Sequence, residues 1–217
     1  TAKKWLQEGA IDEATKVEIR KMLDAPDPKA LMDAFYKNLE FGTGGLRGIM
    51  GVGSNCINRY TIGAATQGLA NYLKKSFPGQ PVRVAIAFDS RNNSQSLART
   101  TAETFAANGI KVFLFRELRP TPLLSFAIRH LQCQSGVVVT ASHNPKEYNG
   151  YKAYWTDGAQ LVPPHDKNVM EEVNAITGFD QIKFNGNPRN IEWVGPEVEA
   201  AYYEALEKTI PFREAVQ

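Results

Sequence analysis

The chain has 217 residues, 43% of them hydrophobic and 22% charged, with a formal net charge of +2. That length suits one large domain or one domain with additional pieces, since domains usually run ~50–250 residues. So small a charge argues against a nucleic-acid or membrane-surface protein, and no apolar run approaches the ~20 residues that cross a bilayer.

In chain order, residues 1–40 read as helices, with Leu31, Phe35 and Leu39 recurring every four residues after Pro28. The segment from Phe41 to Gly53 holds too many glycines for a helix. A second amphipathic helix carries Ile62, Ala65, Leu69 and Leu73 on one stripe and stops at Pro78-Gly79. Then strands alternate with helices. Val82 to Phe88 is a strand, Ser94 to Asn108 a helix closed by Gly109, and Ile110 to Phe115 a strand. Pro122 to Leu131 is a short helix and Gly136 to Val139 a third strand. That alternation predicts parallel pairing and right-handed crossovers with helices on both faces. Tyr151 to Trp155 follows too closely for a crossover, so it pairs antiparallel with the third strand. The expected fold is a three-layer α/β/α domain with a mixed four-stranded sheet, three strands parallel and one antiparallel, after N-terminal helices.

The chain thus divides into a helical extension (1–40), a main domain (41–195) and a final helix (196–217). That helix, with Val198, Tyr202, Leu206 and Ile210 on one stripe, reads as the entry to a further domain. In this chain it is expected to be displaced, disordered or buried in a non-native contact. No signal-peptide pattern opens the chain. Cys56 and Cys133 sit in no metal-like spacing, and reduced thiols in a cytoplasm are expected.

Chemistry concentrates where the third strand ends, in Thr140-Ala141-Ser142-His143-Asn144-Pro145. Ligands of open α/β sheets bind beyond the carboxyl ends of parallel strands, and Ser142 lies there. Asn144-Pro145 closes the loop sharply, because the residue before proline is pushed away from helical angles. Lys152 is two residues past Gly150, ~7 Å along an antiparallel return strand, so it can reach the loop. On these residues alone Ser142 reads as a turn-former or as a nucleophile. A serine hydrolase fails, since the Gly-x-Ser-x-Gly elbow is absent. Likewise Gly42 to Gly53 offers unobstructed amides, as an anion cradle or as a flexible connector. It is neither a P-loop nor a dinucleotide fingerprint. Asp89-Ser90-Arg91 ends the first sheet strand, and a structural role is favoured there, with Asp89 capping the next turn or pairing with Arg91. His130 and His165 are assigned no role. Tyr148, Tyr151, Tyr154 and Trp155 read as sheet packing.

Thr140-Ala141-Ser142-His143-Asn144-Pro145, with Tyr148-Asn149-Gly150-Tyr151-Lys152 after it, resembles the active-site segment of the α-D-phosphohexomutases, the phosphoglucomutase/phosphomannomutase family. Phe41-Gly42-Thr43-Gly44-Gly45-Leu46-Arg47-Gly48 resembles the first active-site segment of the larger phosphoglucomutase/phosphopentomutase branch, and Asp89-Ser90-Arg91 a third family turn. The resemblance spans roughly Leu39 to Gly195. It implies that Ser142 is phosphorylated and ligates Mg2+ through its phosphate, and that His143 and Lys152 contact phosphate or substrate, Lys152 as a general acid/base. It implies that Arg47 faces the phosphate, with Thr43 and Gly44 beside it. It also implies a phosphorylated hexose substrate and an activator of the glucose 1,6-bisphosphate type.

The family's metal loop, sugar-recognition loop and distal phosphate loop are not found in this sequence. The expected function is therefore that of the phosphoserine-bearing first domain of a mutase interconverting hexose 1- and 6-phosphates. Its partners would be the parent enzyme's remaining domains, and the chain alone would be inactive. The alternative is a stand-alone or degenerate phospho-sugar binding module that clamps phosphate with Arg47, His143 and Lys152.

Overall fold

A computed structural model describes residues 1–42 and 44–209. Three short helices open it: α1 (Ala2–Gln7), α2 (Glu13–Asp24) and α3 (Lys29–Phe35). They gather around Trp5, whose ring packs edge-on against Phe35, Tyr60 and Phe179 at centroid distances of 5.4, 5.5 and 5.1 Å. Leu39 lies beyond α3 rather than on its stripe. Its N–H instead donates to Ser54 O at 2.7 Å, which ties the chain to the next turn.

The main body runs β1 (Gly45–Ile49), α4 (Arg59–Ser76), β2 (Arg83–Phe88), α5 (Ser94–Ala107), β3 (Lys111–Phe115), α6 (Thr121–His130), β4 (Ser135–Val139) and β5 (Tyr148–Tyr154). After it come α7 (His165–Asn174), β6 (Ile191–Val194) and α8 (Pro196–Glu207). Asn58 caps α4 by accepting from the Tyr60 and Thr61 amides, while Thr61 Oγ1 accepts from the Asn58 amide, a reciprocal capping box. The predicted stripe is then buried in full: Ile62, Ala65, Leu69 and Leu73 are all 0% exposed.

The sheet has six strands among the described residues, in the order β1-β5-β4-β2-β3-β6. β4, β2, β3 and β6 are mutually parallel, while β5 runs antiparallel to both β4 and β1. The three-layer mixed α/β fold is as expected, but four strands was too few. Both extra strands are edges. β1 lies in the glycine-rich segment, which has no run of apolar alternation, and β6 is four residues long, with Glu192 and Trp193 exposed.

Side chains of β2 alternate between the two faces. Val84, Ile86 and Phe88 join the cluster beneath α4 and α5, whereas Ala85 and Ala87 join the one beneath α6. Burial on both faces is why these central strands read as continuous apolar runs. α7 packs on α4 on the first side and α8 on α6 on the second.

The placement of α8 overturns one expectation. Val198 is 2% exposed in the second cluster, Tyr202 packs edge-on against Phe126 at 5.5 Å, and Glu199 pairs with Arg119 at 2.6 Å. The helix is docked on the domain because its apolar stripe meets an apolar face of α6. Ile210 lies outside the described residues.

Candidate active site

Parallel register sets the site. Phe88 pairs with Val139, so β2 and β4 end side by side, and the Asp89 N–H donates to Val139 O at 3.2 Å. Two turns leave together. In the first, Asp89 Oδ1 accepts from the Arg91 N–H (3.0 Å) and from the Ser94 hydroxyl (2.6 Å), which ties the turn to the start of α5. The structural role expected of Asp89 is what the geometry shows, and Arg91 Nε lies 3.5 Å from its carboxylate.

The second turn carries Ser142. This residue is exposed and has φ +57°, a left-handed conformation uncommon for a side-chain-bearing residue. Its N–H donates to Thr140 Oγ1 at 2.9 Å, and the Asn144 side chain donates to Ala141 O at 2.8 Å. The Arg91 guanidinium donates to Ser142 O at 2.6 Å from the other side. The Ser142 hydroxyl lies 3.3 Å from His143 Nδ1, long for such a bond, so the pair touches without being locked. A cavity of ≈ 370 Å³ opens here, lined by Asp89, Ser90, Arg91, Asn92, Ser142, Asn144 and Lys146.

On the other flank, β5 returns beside the loop. The Thr140 N–H donates to Gly150 O at 3.1 Å, and Asn149 ties β5 to the first turn by donating to Asn92 O (2.9 Å) and Ser94 Oγ (3.0 Å). Arg47 stands opposite Gly150 in the β1–β5 ladder, and Gly45 stands opposite Lys152. Directly paired residues share a face, so Arg47 and Lys152 lie diagonally on one face of the sheet. Neither side chain makes a hydrogen bond or ion pair with another described residue. The fold thus places two uncommitted cations on the β1–β5 ladder, β5 being the neighbour of the strand that leads into the serine loop, although Lys152 and Arg47 do not line the cavity beside Ser142.

Gly44 and its neighbours form a defined turn. Gly42 and Gly45 bond each other's carbonyls at 2.7 and 3.3 Å, Met50 N–H donates to Glu147 O at 2.8 Å and Gly51 N–H to Ile57 O at 3.1 Å. Those four amides are committed to main-chain acceptors, and the segment forms a tight turn and an edge strand. A side chain at Gly45 would strike Tyr151 O at 2.0 Å, so the glycine is what lets β1 approach β5. Gly44, at φ +71°, offers its carbonyl to the Ala153 N–H at 2.8 Å. Thr43 lies outside the described residues.

No group of three metal-ligating side chains occurs among the described residues. Asp89 lines the cavity beside Ser142, and its carboxylate is already engaged by Arg91 and Ser94. These residues therefore do not by themselves fit a magnesium centre. Arg91 escaped the functional reading of the sequence, since its targets are main-chain carbonyls that no motif announces.

The model of the "phosphoglucomutase/phosphomannomutase, alpha/beta/alpha domain I" family matches residues 38–179. A phosphopentomutase of Homo sapiens is 40% identical over 162 residues, covering 71% of this chain and 26% of its own length. A phosphoglucomutase of Staphylococcus haemolyticus is 38% identical over 171 residues, 79% of this chain and 31% of its own. Among solved structures, a protein of Thermus thermophilus described as a phosphomannomutase superposes with a TM-score of 0.69 at 27% identity, over 82% of this chain and 37% of its own. The chain thus spans only about a quarter to a third of the length of the curated relatives it matches. It belongs to the phosphoglucomutase/phosphomannomutase family and carries that family's α/β/α domain I.

Proposed function

We propose that Ser142 carries a phosphoryl group and exchanges it with the hydroxyls of a phosphorylated sugar, the parent protein interconverting hexose 1- and 6-phosphates through a bisphosphate. The observation behind this reading is an exposed serine, its backbone pinned by Thr140 and Arg91, with the uncommitted cations Arg47 and Lys152 on the β1–β5 ladder beside the strand that leads into its loop. Phosphoryl transfer demands little covalent chemistry of a protein beyond positioning and charge stabilisation, which is what these residues supply.

In the forward step the Ser142 Oγ–P bond breaks as the sugar O–P bond forms. The sugar hydroxyl gives up its proton to a base, and the serine oxygen regains one. His143, at 3.3 Å from the hydroxyl, and Lys152 are the candidates to hold those protons. Arg47 is suited to the phosphate because its guanidinium is permanently charged and presents a fork of donors. Return of the other phosphate of the bisphosphate to Ser142 completes the exchange. Magnesium, when bound, would neutralise phosphate charge, with the Ser142 phosphate as one donor and the rest from outside the described residues. For that reason the 217 residues alone should accept a phosphoryl group without sustained turnover.

A second reading of the substrate is a phosphorylated pentose, favoured by the 40% identity to a phosphopentomutase along this stretch. Incubating the chain with glucose 1,6-bisphosphate or ribose 1,5-bisphosphate and magnesium, then measuring intact mass, tests both. One phosphoryl adduct is expected on the wild type and none on Ser142→Ala; equal adducts on the two would overturn the carrier assignment. Sugar phosphate binding that survives Ser142→Ala but not Arg47→Ala would favour a binding module instead.

A further inference from the structure

The carbonyls of the serine loop converge on one cation. Nη2 of Arg91 donates to Ser142 O at 2.6 Å and to Asn144 O at 2.5 Å, while Nη1 donates to Pro145 O at 2.9 Å and to Tyr148 O at 3.2 Å. Residues 142–148 are wrapped around a single guanidinium. No other side chain could do this alone: a planar fork with five donors serves four acceptors in two directions, whereas an ammonium has three donors on a point. The fork is itself set from β2, since Asp89 holds the Arg91 amide at 3.0 Å and faces Nε at 3.5 Å. With its side chain only 13% exposed, the charge is poorly screened by solvent.

Two consequences bear on Ser142. Its left-handed backbone is held at both flanking peptide groups, the N–H by Thr140 and the C=O by Arg91. Such a conformation persists only where the surroundings over-determine it. In addition, four carbonyl oxygens whose negative ends would repel a phosphate are paired with a positive charge immediately behind the serine.

We propose that Arg91 is a positioning residue for the phosphoserine. It fixes the loop backbone that presents the Ser142 hydroxyl, without touching the sugar. This rests on the carrier reading of Ser142. It goes beyond a loop staple, because the conformation it fixes is the one that aims the Ser142 hydroxyl, so its loss should slow phosphoryl uptake in a chain that still folds.

The test follows phosphoryl uptake from glucose 1,6-bisphosphate by intact mass, at several bisphosphate concentrations, in the wild type, Arg91→Met and Arg91→Lys. Both variants should reach a maximal rate roughly 10- to 100-fold below wild type, the scale of misplacement by about an ångström, with the half-saturating bisphosphate concentration unchanged. Arg91→Lys keeps the charge but cannot serve four carbonyls, so it should not rescue the rate. Wild-type uptake in Arg91→Met would overturn the proposal, and so would a loss carried wholly by the half-saturating concentration. Should Arg91→Met fail to fold, Arg91→Lys decides it, since an unchanged uptake rate there contradicts the positioning role. If the wild type itself takes up no phosphoryl group, the carrier reading fails, while amide exchange across 142–148, expected to be faster in both variants, still reports whether Arg91 holds the loop.

Discussion

Arg47 and Gly150 face each other across the β1–β5 ladder, and the missing side chain at Gly150 lets the backbone on either side of it approach closely. A Cβ at position 150 would sit 2.7 Å from Thr140 O and 2.8 Å from Leu46 O. Both are backbone atoms, Leu46 in the β1–β5 ladder and Thr140 bonded to Gly150 itself, so neither can swing aside. Gly150→Ala should destabilise the chain by about 1–3 kcal/mol, the usual scale for overpacking. Gly9→Ala, where no atom lies within 4 Å, should be near neutral in the same urea titration.

Asp12 sets an acid limit on stability. Its carboxyl is held below the usual carboxylate value, first by the Tyr60 hydroxyl donating at 2.6 Å, with burial opposing and the Thr15 amide adding to the effect. A depressed folded-state value means this contribution is complete above the ordinary pKa of 3.8 and fades as pH falls through the lowered one. Asp12→Asn should therefore flatten the loss of stability below pH ~4 in unfolding curves run across pH. Asp12→Ala should also remove the cap of α2, at about 1 kcal/mol.

Tyr60 sets the corresponding alkaline limit. Burial first, and then its bond to Asp12, push its hydroxyl above the ordinary value of 10. The stabilisation is present below pH ~10 and is lost as pH rises through the raised value. Tyr60→Phe should remove that alkaline slope and, by depriving Asp12 of its donor, reduce the acid slope as well.

The two thiols should be slow to react. Burial pushes Cys133 up to about 12, and it pushes Cys56 up as well, with Asp33 adding to the effect. Only thiolate attacks a disulfide reagent, so at pH ~8 Cys133 should label roughly 10³-fold more slowly than a free thiol, and at normal speed once unfolded. Cys56→Ser isolates it in a colorimetric thiol assay.

Docking of α8 rests on Val198 and on the Arg119–Glu199 pair. Val198→Ala should weaken it by about 1–3 kcal/mol. Glu199→Ala should weaken it by about 1 kcal/mol or less, because both partners retain some solvent contact. Faster amide exchange confined to 196–207 is the expected readout. No change in either variant would mean the helix is held by something else.

Amino-acid order alone determined the α4-to-β5 series, because a run such as Val84 to Phe88 or the Ile62–Leu73 stripe is a period set by neighbours along the chain. It also determined the serine loop, whose motif is contiguous. What it could not convey depends on partners distant in sequence. β1 exists because Gly45 and Arg47 pair with Lys152 and Gly150, and a glycine-rich stretch shows no apolar period that would reveal an edge strand. α8 read as unpartnered because the face that receives it belongs to α6. The role of Arg91 is the sharpest case: Ser142 O lies 51 residues away, and a main-chain carbonyl is the same at every residue. Local periodicity is written in side chains and can be read directly, whereas the convergence of backbone acceptors on one guanidinium comes into being only once β2 and β4 end side by side.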